Sequence, residues 1–367
     1  MEQLTIQLPS HSYEVIIAKD AIDTFIEQNE SALQSYDRIA IIADETVFSL
    51  YKEKLQQLFQ RHSLDVVSYV VPKGEACKTF SVYGDVQSFL LKQRLTRDSL
   101  LIAFGGGAVG DLTGFVAATY MRGISFIQWP TTILAHDSAV GGKTAINLPE
   151  GKNMVGAFHQ PEAVIFDTRL FDTLPQREWR SGMAELLKHA YISDAAWTEE
   201  LLNDPSFVRP DMHLLPQRLI RGVDVKARIV EEDTFERGTR KFLNFGHTFG
   251  HAVEAATGFG TMSHGECIMV GMGYALLMSE KYGEITREET VDFLQFSLKQ
   301  GYRYEPIFEH SFDTFYQYMK NDKKASYGEI HFVVLRKIGE PFVTKITEDE
   351  SEEVFNTLRQ LIKGMSV

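Results

Sequence analysis

Regular alternation between short apolar segments and amphipathic segments constrains the fold of the first half of the chain. Strand-like patterns occupy residues 4–8, 13–17, 38–42, 66–71, 100–104, 126–129 and 163–167, and helical patterns occupy residues 21–34, 46–60 and 82–93. Such alternation predicts parallel strands that are joined by crossover helices. Because ligands bind at the carboxyl ends of strands in this architecture, functional residues are expected at those ends.

The length of 367 residues exceeds one ordinary hydrophobic core, so two domains are expected. From Pro175 onward the pattern is largely helical, apart from a predicted hairpin at residues 330–335 and 342–345. An apolar run at residues 267–278 is too short to span a bilayer and is predicted to form a buried helix. We therefore predict an α/β parallel-sheet domain over residues 1–172 and a mostly α-helical domain over residues 173–367.

Charge and cysteine content narrow the class of protein. The formal net charge of −13 argues against nucleic acid or an anionic membrane as a partner, although solubility alone also explains such a charge. Cys77 and Cys267 are the only cysteines, which excludes a disulfide framework and favours a reducing compartment. The first residues show no basic and apolar signal pattern, so we expect a cytoplasmic protein.

A glycine-rich turn follows the predicted strand at residues 100–104. The G-x-G-x-x-G spacing is satisfied by Gly105-Gly106-Gly107-Ala108-Val109-Gly110, followed by Asp111. Glycines let a backbone approach a pyrophosphate, whose charge a helix N-terminus favours. The usual fingerprint needs an acid about twenty residues later, but no Asp or Glu lies between Asp111 and Asp137. Asp44, at the end of an earlier strand, can supply the ribose contact; a tight turn without a ligand is the alternative.

Three histidines cluster in the helical half. His247 and His251 lie four residues apart and share one face of a helix, and His264 follows after a short loop. Histidine is the commonest metal ligand, so a divalent metal is one interpretation; buried histidines bonded to backbone carbonyls are the other. The zinc-peptidase signature fails, because Thr248 stands where that signature has Glu.

A carboxylate upstream can complete a metal site. Glu185 lies on the helix predicted from residue 175 to residue 191, near one face with Glu178 and Lys188. Two imidazoles and one carboxylate leave an open coordination position, which is the arrangement of catalytic zinc. Surface ion pairing is the alternative role for Glu185.

Cationic and amide side chains accumulate in both halves of this acidic chain. Guanidinium and ammonium groups suit phosphate and carboxylate, so we expect a small anionic substrate. Solvent-facing lysines are the alternative interpretation. The set comprises Lys143, Lys152, Asn153, Lys226, Arg240 and Asn244.

Several motifs, taken together, resemble the 3-dehydroquinate synthase family. They are Gly105-Gly-Gly-Ala-Val-Gly-Asp111, Pro130-Thr-Thr132, Asp137-Ser-Ala-Val-Gly-Gly-Lys143, Gly151-Lys-Asn153, Ser181-Gly-Met-Ala-Glu-Leu-Leu-Lys188, Asn244-Phe-Gly-His-Thr-Phe-Gly-His251 and His264-Gly-Glu266. The stretch from Lys73 to Lys78 departs from the usual Asp-Gly-Glu-x-Tyr-Lys of the family, and Ala139 replaces a usual Ser.

The resemblance implies a Rossmann-like NAD-binding domain and a helical domain that binds metal and substrate. It implies conversion of 3-deoxy-D-arabino-heptulosonate 7-phosphate to 3-dehydroquinate and phosphate, a step of the shikimate pathway. The implied steps are transient NAD-mediated oxidation, phosphate elimination, re-reduction and intramolecular aldol closure. The implied partners are NAD, one divalent metal (zinc, with cobalt as the alternative), the anionic sugar phosphate and a second copy of the chain in a homodimer.

The resemblance also implies roles for individual residues. The metal would be held by Glu185, His247 and His264, and protons would be transferred by His251 and Glu236. Substrate would be bound by Lys152, Asn153, Lys226, Arg240, Asn244 and Lys324, with Lys143, Lys188 and Asp137 completing the catalytic set. Arg122 would reach into the site of a neighbouring subunit. NAD would be bound by Asp44, Gly74, Glu75, Lys78, Gly106, Gly107, Val109, Gly110, Asp111, Thr131, Thr132, Lys143, Lys152, Thr173, Leu174 and Glu178.

Three other functions fit parts of the pattern. Another sugar-phosphate cyclase, such as a 2-deoxy-scyllo-inosose synthase, acts on a substrate that lacks the carboxylate, whereas Arg240, Asn244 and His251 match the dehydroquinate version. A polyol or iron-dependent alcohol dehydrogenase would accumulate NADH, which the cyclase reaction consumes again. A nucleotide-binding module with a structural metal is the non-enzymatic alternative.

Overall fold

The computed structural model describes residues 1–8, 11–149, 151–234, 238–258, 260–321 and 330–365. The chain divides into two compact units, Met1–Leu174 with Met212–Thr234, and Pro175–Asp211 with Phe235–Val367. The first change of unit, between Leu174 and Pro175, falls two residues after the predicted boundary between residues 172 and 173. However, Met212–Thr234 belongs to the first unit, although the sequence-based division assigns it to the helical domain.

The first unit is built on a sheet. Its strands among the described residues are β1 (Glu2–Gln7), β2 (Ser12–Ala18), β3 (Ile39–Asp44), β4 (Val66–Val71), β5 (Leu100–Gly105), β6 (Ser125–Pro130), β7 (Lys143–Leu148), β8 (Gly151–Phe158) and β9 (Ala163–Asp167). The sheet runs in the order β1-β2-β9-β6-β5-β3-β4. All neighbours from β2 to β4 are parallel, as predicted, and Ile41 of β3 pairs with Ile102 of β5.

Two pairs of strands differ from the parallel arrangement predicted. β1 is antiparallel to β2, because the chain that joins them is too short for a crossover helix. β7 and β8 are not among the predicted strands, and they form a separate antiparallel hairpin. The predicted binding residues Lys143, Lys152 and Asn153 lie on this hairpin.

Helices follow the strands in chain order. The described residues contain α1 (Ala21–Gln34), α2 (Glu45–Arg61), α3 (Phe80–Lys92), α4 (Gly107–Thr119), α5 (Ala135–Ser138), α6 (Gln176–Tyr191), α7 (Ala195–Leu202), α8 (Leu215–Glu232), α9 (His247–Thr257), α10 (His264–Tyr282), α11 (Arg287–Lys299), α12 (Pro306–Glu309), α13 (Phe312–Asn321) and α14 (Glu348–Met365). Short 3₁₀ segments are Gly74–Cys77, Tyr120–Arg122, Thr168–Thr173 and Thr239–Asn244.

The sheet is covered on both faces. Ile39 and Ile41 of β3 point into a core with α1 and α2, whereas Ala40 and Ile42 point into a core with α3 and α4. Every residue of β3 and β5 is buried, which is typical of parallel strands between two helical layers. α8 packs against β1 and β2, which explains why its segment belongs to the first unit.

The second unit is organised around α10. Every residue from Gly265 to Ser279 is buried, so the prediction of a core helix at residues 267–278 is confirmed. α10 packs against α6, α9, α11 and α14. The predicted hairpin is also present, as β10 (His331–Leu335) and β11 (Pro341–Lys345). Among the described residues, no helix combines the length and the apolar character that a membrane crossing needs.

The approach of α9 to α10 depends on a glycine. A Cβ at Gly271 would lie 1.9 Å from the carbonyl oxygen of Gly246 and 2.7 Å from the amide nitrogen of Gly250. We therefore expect Gly271→Ala to lower the melting temperature, although Ala ordinarily stabilises a helix interior by about 1 kcal/mol relative to Gly. Overpacking of a core typically costs about 1–3 kcal/mol.

Gly84 of α3 provides a matched control, because a Cβ there would meet no atom within 4 Å. Gly84→Ala is expected to raise the melting temperature slightly, since only helix propensity changes. Calorimetry of both variants measures the contrast. A melting temperature of Gly271→Ala that rose as much as that of Gly84→Ala would show that the two helices can separate without cost.

Candidate metal centre and nucleotide site

The predicted glycine turn connects β5 to α4 in the first unit. A Cβ at Gly107 would lie 2.5 Å from Ser138 Oγ, and a Cβ at Gly110 would lie 2.6 Å from Gln128 Oε1. A side chain at either position would therefore have to displace Ser138 or Gln128, so packing favours glycine here whatever the turn binds. Among the described residues, no side chain caps the N-terminus of α4 at Gly106. The first turn of α4 thus presents backbone N–H groups that suit a phosphate.

Asp44 lies at the carboxyl end of β3, as predicted. Its Oδ1 accepts hydrogen bonds from the backbone N–H groups of Thr46 and Val47, which caps α2. Its Oδ2 accepts from the N–H of Gly74 at 3.2 Å, so two predicted nucleotide residues are in direct contact. The carboxylate thus fixes the segment that carries Glu75 and Lys78.

Lys78 is the centre of a buried ionic network in the first unit. Its side chain is 2% exposed, and its Nζ lies 2.6 Å from Asp111 Oδ2 and 2.5 Å from Asn153 Oδ1. Burial by itself lowers the pKa of Lys78, but the charges of Asp111 and Glu75 outweigh burial and raise the pKa above its ordinary value. Lys78 is therefore a cation, and it joins predicted residues from the Gly74–Cys77 segment, α4 and β8.

Asn153 adopts a left-handed backbone conformation with φ 57°. Its N–H donates to Asn147 Oδ1 at 2.9 Å, and Asn147 Nδ2 donates to Glu75 Oε2 at 2.7 Å. Side-chain amides thus join the tip of the β7–β8 hairpin to the predicted nucleotide segment. Asn147 is not among the predicted site residues, because an isolated Asn near the end of a strand carries no sequence signal.

Lys226 contacts Asp137 within the first unit. Lys226 Nζ donates to the backbone carbonyl of Asp137 and lies 3.3 Å from its Oδ1. Lys226 falls in the predicted helical domain, yet α8 places it beside α5 of the first unit. This pair of predicted catalytic residues is therefore brought together by the excursion of the chain back to the first unit.

The other predicted residues of the first unit occupy varied surroundings. Thr131 is buried, Thr132 packs against the glycine turn near Gly106, and Thr173 bonds to Tyr51 through its hydroxyl at 2.9 Å. Arg122 lies in a turn where three successive residues have positive φ angles of 48°, 75° and 126°. Such strain in non-glycine residues often accompanies a functional contact.

Three histidines meet in the second unit. His247 and His251 lie on successive turns of α9, and His264 is the first residue of α10. One nitrogen from each ring lies within 4.8 Å of the others. Imidazole nitrogens that converge in this way can bind one divalent transition metal ion.

Glu185 of α6 faces the same cluster. Its Oε1 lies 3.7 Å from His247 Nε2 and 3.4 Å from His264 Nε2, and its Oε2 lies 2.5 Å from Lys188 Nζ. Glu185 and Lys188 are each 1% exposed, so surface ion pairing does not describe this carboxylate. Burial by itself lowers the pKa of His264, but hydrogen bonds to Glu185 and Glu254 outweigh burial and raise the pKa to about 10.

The helices that carry Glu185 and His264 are held together beside the cluster. The N–H of Gly265 donates to Ser181 Oγ at 3.1 Å, and a Cβ at Gly265 would lie 2.0 Å from the Ser181 carbonyl oxygen. Arg180 Nε lies 3.1 Å from Glu266 Oε1. The carboxylate of Glu266 also accepts from the N–H and the hydroxyl of Ser263, which begins α10.

Two further predicted residues lie near the start of α9. Arg240 is 1% exposed and Asn244 is half-buried, both in the Thr239–Asn244 segment.

Glu178 lies in the first turn of α6, where burial raises its pKa. Glu236 and Lys324 lie outside the described residues.

Comparison with known proteins agrees with the motifs. A family model described as 3-dehydroquinate synthase N-terminal matches residues 68–181, and one described as 3-dehydroquinate synthase C-terminal matches residues 182–325. The 3-dehydroquinate synthase of Lysinibacillus sphaericus (strain C3-41) is 51% identical over 358 residues, which cover 98% of each chain. The chain belongs to the 3-dehydroquinate synthase family.

Solved structures of other cyclases are similar to this member of the 3-dehydroquinate synthase family. A crystal structure of 2-deoxy-scyllo-inosose synthase complexed with carbaglucose-6-phosphate, NAD+ and Co2+ has a TM-score of 0.86 and 26% identity, with 97% of this chain and 100% of that chain covered. A 2-epi-5-epi-valiolone synthase from Streptomyces hygroscopicus subsp. jinggangensis 5008 with NAD+ and Zn2+ bound has a TM-score of 0.85 and 25% identity, with 96% and 98% covered.

Lys188 neutralises part of the charge of Glu185 inside the protein. We expect Lys188→Met to lower the unfolding free energy of the chain in the presence of chelator by roughly 3 kcal/mol, because it leaves a buried carboxylate without its nearest cation. Added zinc should reduce this loss, since a bound cation replaces the ammonium charge. Denaturant titrations with chelator and with zinc measure both effects.

The exposed Lys363 on α14 gives a control, because Lys363→Met removes the same charge from the surface. That variant should keep its stability within about 0.5 kcal/mol under both conditions. If Lys188→Met were as stable as the control in chelator, the ion pair with Glu185 would not contribute to the fold.

Proposed function

We propose that the chain is a 3-dehydroquinate synthase, which converts 3-deoxy-D-arabino-heptulosonate 7-phosphate to 3-dehydroquinate and phosphate. The conversion proceeds by transient oxidation, elimination of phosphate, re-reduction and intramolecular aldol closure. Identity of 51% to a named 3-dehydroquinate synthase supports this assignment over the other cyclases, whose structures are 26% and 25% identical. The structural observation that carries it is the convergence of Glu185 with His247 and His264 beside the cation of Lys188.

Glu185, His247 and His264 would hold one divalent metal ion. The donor set of one carboxylate and two imidazoles suits zinc, and cobalt has similar preferences. Three protein ligands leave a coordination position for substrate. When bound, the metal ion supplies Lewis acidity toward substrate oxygens, and NAD supplies reversible acceptance of hydride.

His251 would transfer protons rather than bind the metal. Its ring lies 5.3 Å from that of His247 and 5.8 Å from that of His264, measured between centroids. It follows His247 by one turn of α9, so it can give or take a proton at a substrate held by the other three residues. Glu236 would be a second proton-transfer residue.

The first unit would hold NAD. The turn at Gly106, Gly107 and Gly110 with the start of α4 would hold the pyrophosphate, because it combines close backbone approach with a helix N-terminus. The network of Lys78, Asp111 and Asn153 would fix the β7–β8 hairpin while the cofactor is bound. The contacts predicted for Asp44, Gly74, Glu75, Val109, Thr131, Thr132, Lys143, Lys152, Thr173, Leu174 and Glu178 are part of this proposal.

The substrate would be recognised through its negative charges. Arg240 and Lys188 are buried cations in an acidic protein, and a buried cation attracts phosphate or carboxylate strongly. Asn244 and Lys324, together with Lys143, Lys152, Asn153, Asp137 and Lys226, would complete the set that binds substrate. Arg122, on its strained turn, would extend toward a second subunit, so we propose a homodimer. Because Cys77 and Cys267 are both buried free thiols, we place the enzyme in the cytoplasm.

Phosphate release tests the substrate assignment. The purified chain with NAD and zinc should release phosphate from the heptulosonate 7-phosphate and not from glucose 6-phosphate, because the cationic set is matched to a carboxylate as well as a phosphate. Absorbance of reduced cofactor should not increase during turnover, since hydride returns to the product. Release from glucose 6-phosphate alone would assign the chain to another cyclase, and steady growth of NADH would indicate a dehydrogenase.

Metal content tests the division of roles among the four clustered side chains. Glu185→Ala is expected to abolish stoichiometric zinc binding and turnover, because it removes a ligand at the centre of the cluster. His251→Ala should retain zinc but lose about 10²- to 10⁴-fold in turnover, the range expected for a general acid or base. Elemental analysis and the phosphate assay measure the two effects. Full zinc occupancy in Glu185→Ala would show that Glu185 is not a ligand. Loss of zinc in His251→Ala would show that His251 is one.

A further inference from the structure

Glu254 is a carboxylate close to the three histidines, and it is not among the predicted site residues. It follows His247 by seven residues and His251 by three, so all three lie on one face of α9. Its side chain is 12% exposed, and its Oε2 lies 3.2 Å from His264 Nδ1. The spacing of two histidines and one glutamate on a helix is the sequence signal that could have identified it.

His264 therefore has a carboxylate at each ring nitrogen. Nδ1 faces Glu254, and Nε2 lies 3.4 Å from Oε1 of Glu185. A neutral imidazole carries one N–H and one lone pair, and the hydrogen bond at one nitrogen decides where the lone pair is. Because a carboxylate only accepts, Glu254 would hold the hydrogen on Nδ1 when a metal ion lies between Nε2 and Glu185, which leaves the lone pair of Nε2 for that ion.

His247 has the same arrangement with a different partner. Its Nδ1 lies 3.2 Å from the backbone carbonyl oxygen of Phe245, and its Nε2 lies 3.7 Å from Oε1 of Glu185. In both rings an acceptor lies close to Nδ1, and Nε2 faces Oε1 of Glu185. The Nε2 atoms of His247 on α9 and His264 on α10 therefore converge on the same oxygen atom.

We propose that Glu254 is a positioning residue that fixes the tautomer and ring orientation of His264 for metal binding. This inference rests on the proposed metal site of Glu185, His247 and His264. Glu254 itself does not contact the ion in this assignment; it acts through the imidazole. Its negative charge also makes the imidazole a stronger donor, which is the known effect of an acceptor behind a metal-bound histidine.

The experiment compares metal affinity in three variants of the full chain. Glu254→Met removes the acceptor while keeping the length of the side chain and its preference for a helix. Glu254→Gln keeps an oxygen that can accept from Nδ1. Glu352→Met, at an exposed position of α14, is the matched control. Cobalt affinity is measured by competition with a chromophoric chelator, together with the cobalt absorption spectrum and the melting temperature in chelator.

Glu254→Met should weaken cobalt binding by about 10- to 100-fold, the usual effect of losing such a partner. Glu254→Gln should recover most of the affinity, and the control should bind as the unaltered chain does. The cobalt absorption spectrum should change in Glu254→Met, because the ring can rotate. A purely structural role would lower the melting temperature without the rescue by Gln.

Two outcomes separate this inference from the function on which it rests. If the unaltered chain bound no cobalt, the metal site would be wrong, and the role of Glu254 would be wrong with it. If the unaltered chain and Glu254→Met bound cobalt equally well with the same spectrum, only the role of Glu254 would be overturned. Should Glu254→Met not fold, Glu254→Ala replaces it, with the same expected and contrary results.

Discussion

A carboxylate that is almost fully removed from solvent is the central constraint on the helical unit. Glu185 is stable in that position only because cations and polar hydrogens surround it. Lys188 comes from the same helix, but the imidazoles come from α9 and α10, so three helices must meet closely. Gly265 permits the approach of α10 to α6, and Gly271 permits the approach of α10 to Gly246 and Gly250 at the start of α9.

The first unit uses a buried charge of the opposite sign. Lys78 is enclosed by Asp111 and Asn153, and it joins a 3₁₀ segment, the helix after the glycine turn and the β7–β8 hairpin. In each unit, elements that are distant in sequence are held by one charged group whose partners satisfy it. Removing such a group would leave its partners unsatisfied in a low-dielectric interior. The same residues therefore contribute to the fold and to the chemistry proposed for it.

Periodicity and motif spacing predicted much of this arrangement. The strand at Val66–Val71 and the helix at Ala21–Gln34 have the predicted bounds, and the two histidines share a helix face as expected. The β7–β8 hairpin is not evident from the sequence, because its residues are mixed in polarity and include Gly151 and Gly156. The packing of α8 against the first unit could not be predicted. An amphipathic pattern shows that one face of a helix is buried, but not which element it packs against. The spacing on α9 places Glu254 on the face of His247 and His251, but its contact with His264 depends on how α9 meets α10, which the sequence does not show.

The path of the chain at Met212–Thr234 limits how the protein can be divided. The polypeptide leaves the first unit after Leu174, builds part of the second, returns to contribute α8, and then completes the second. Neither unit is therefore a continuous stretch of polypeptide. A fragment that ends at Leu174 would expose the surface of β1 and β2 that α8 covers, and a fragment that begins at Pro175 would carry an amphipathic helix without its sheet. An exchange of whole units between relatives would therefore need three junctions in the chain, one at each change of unit.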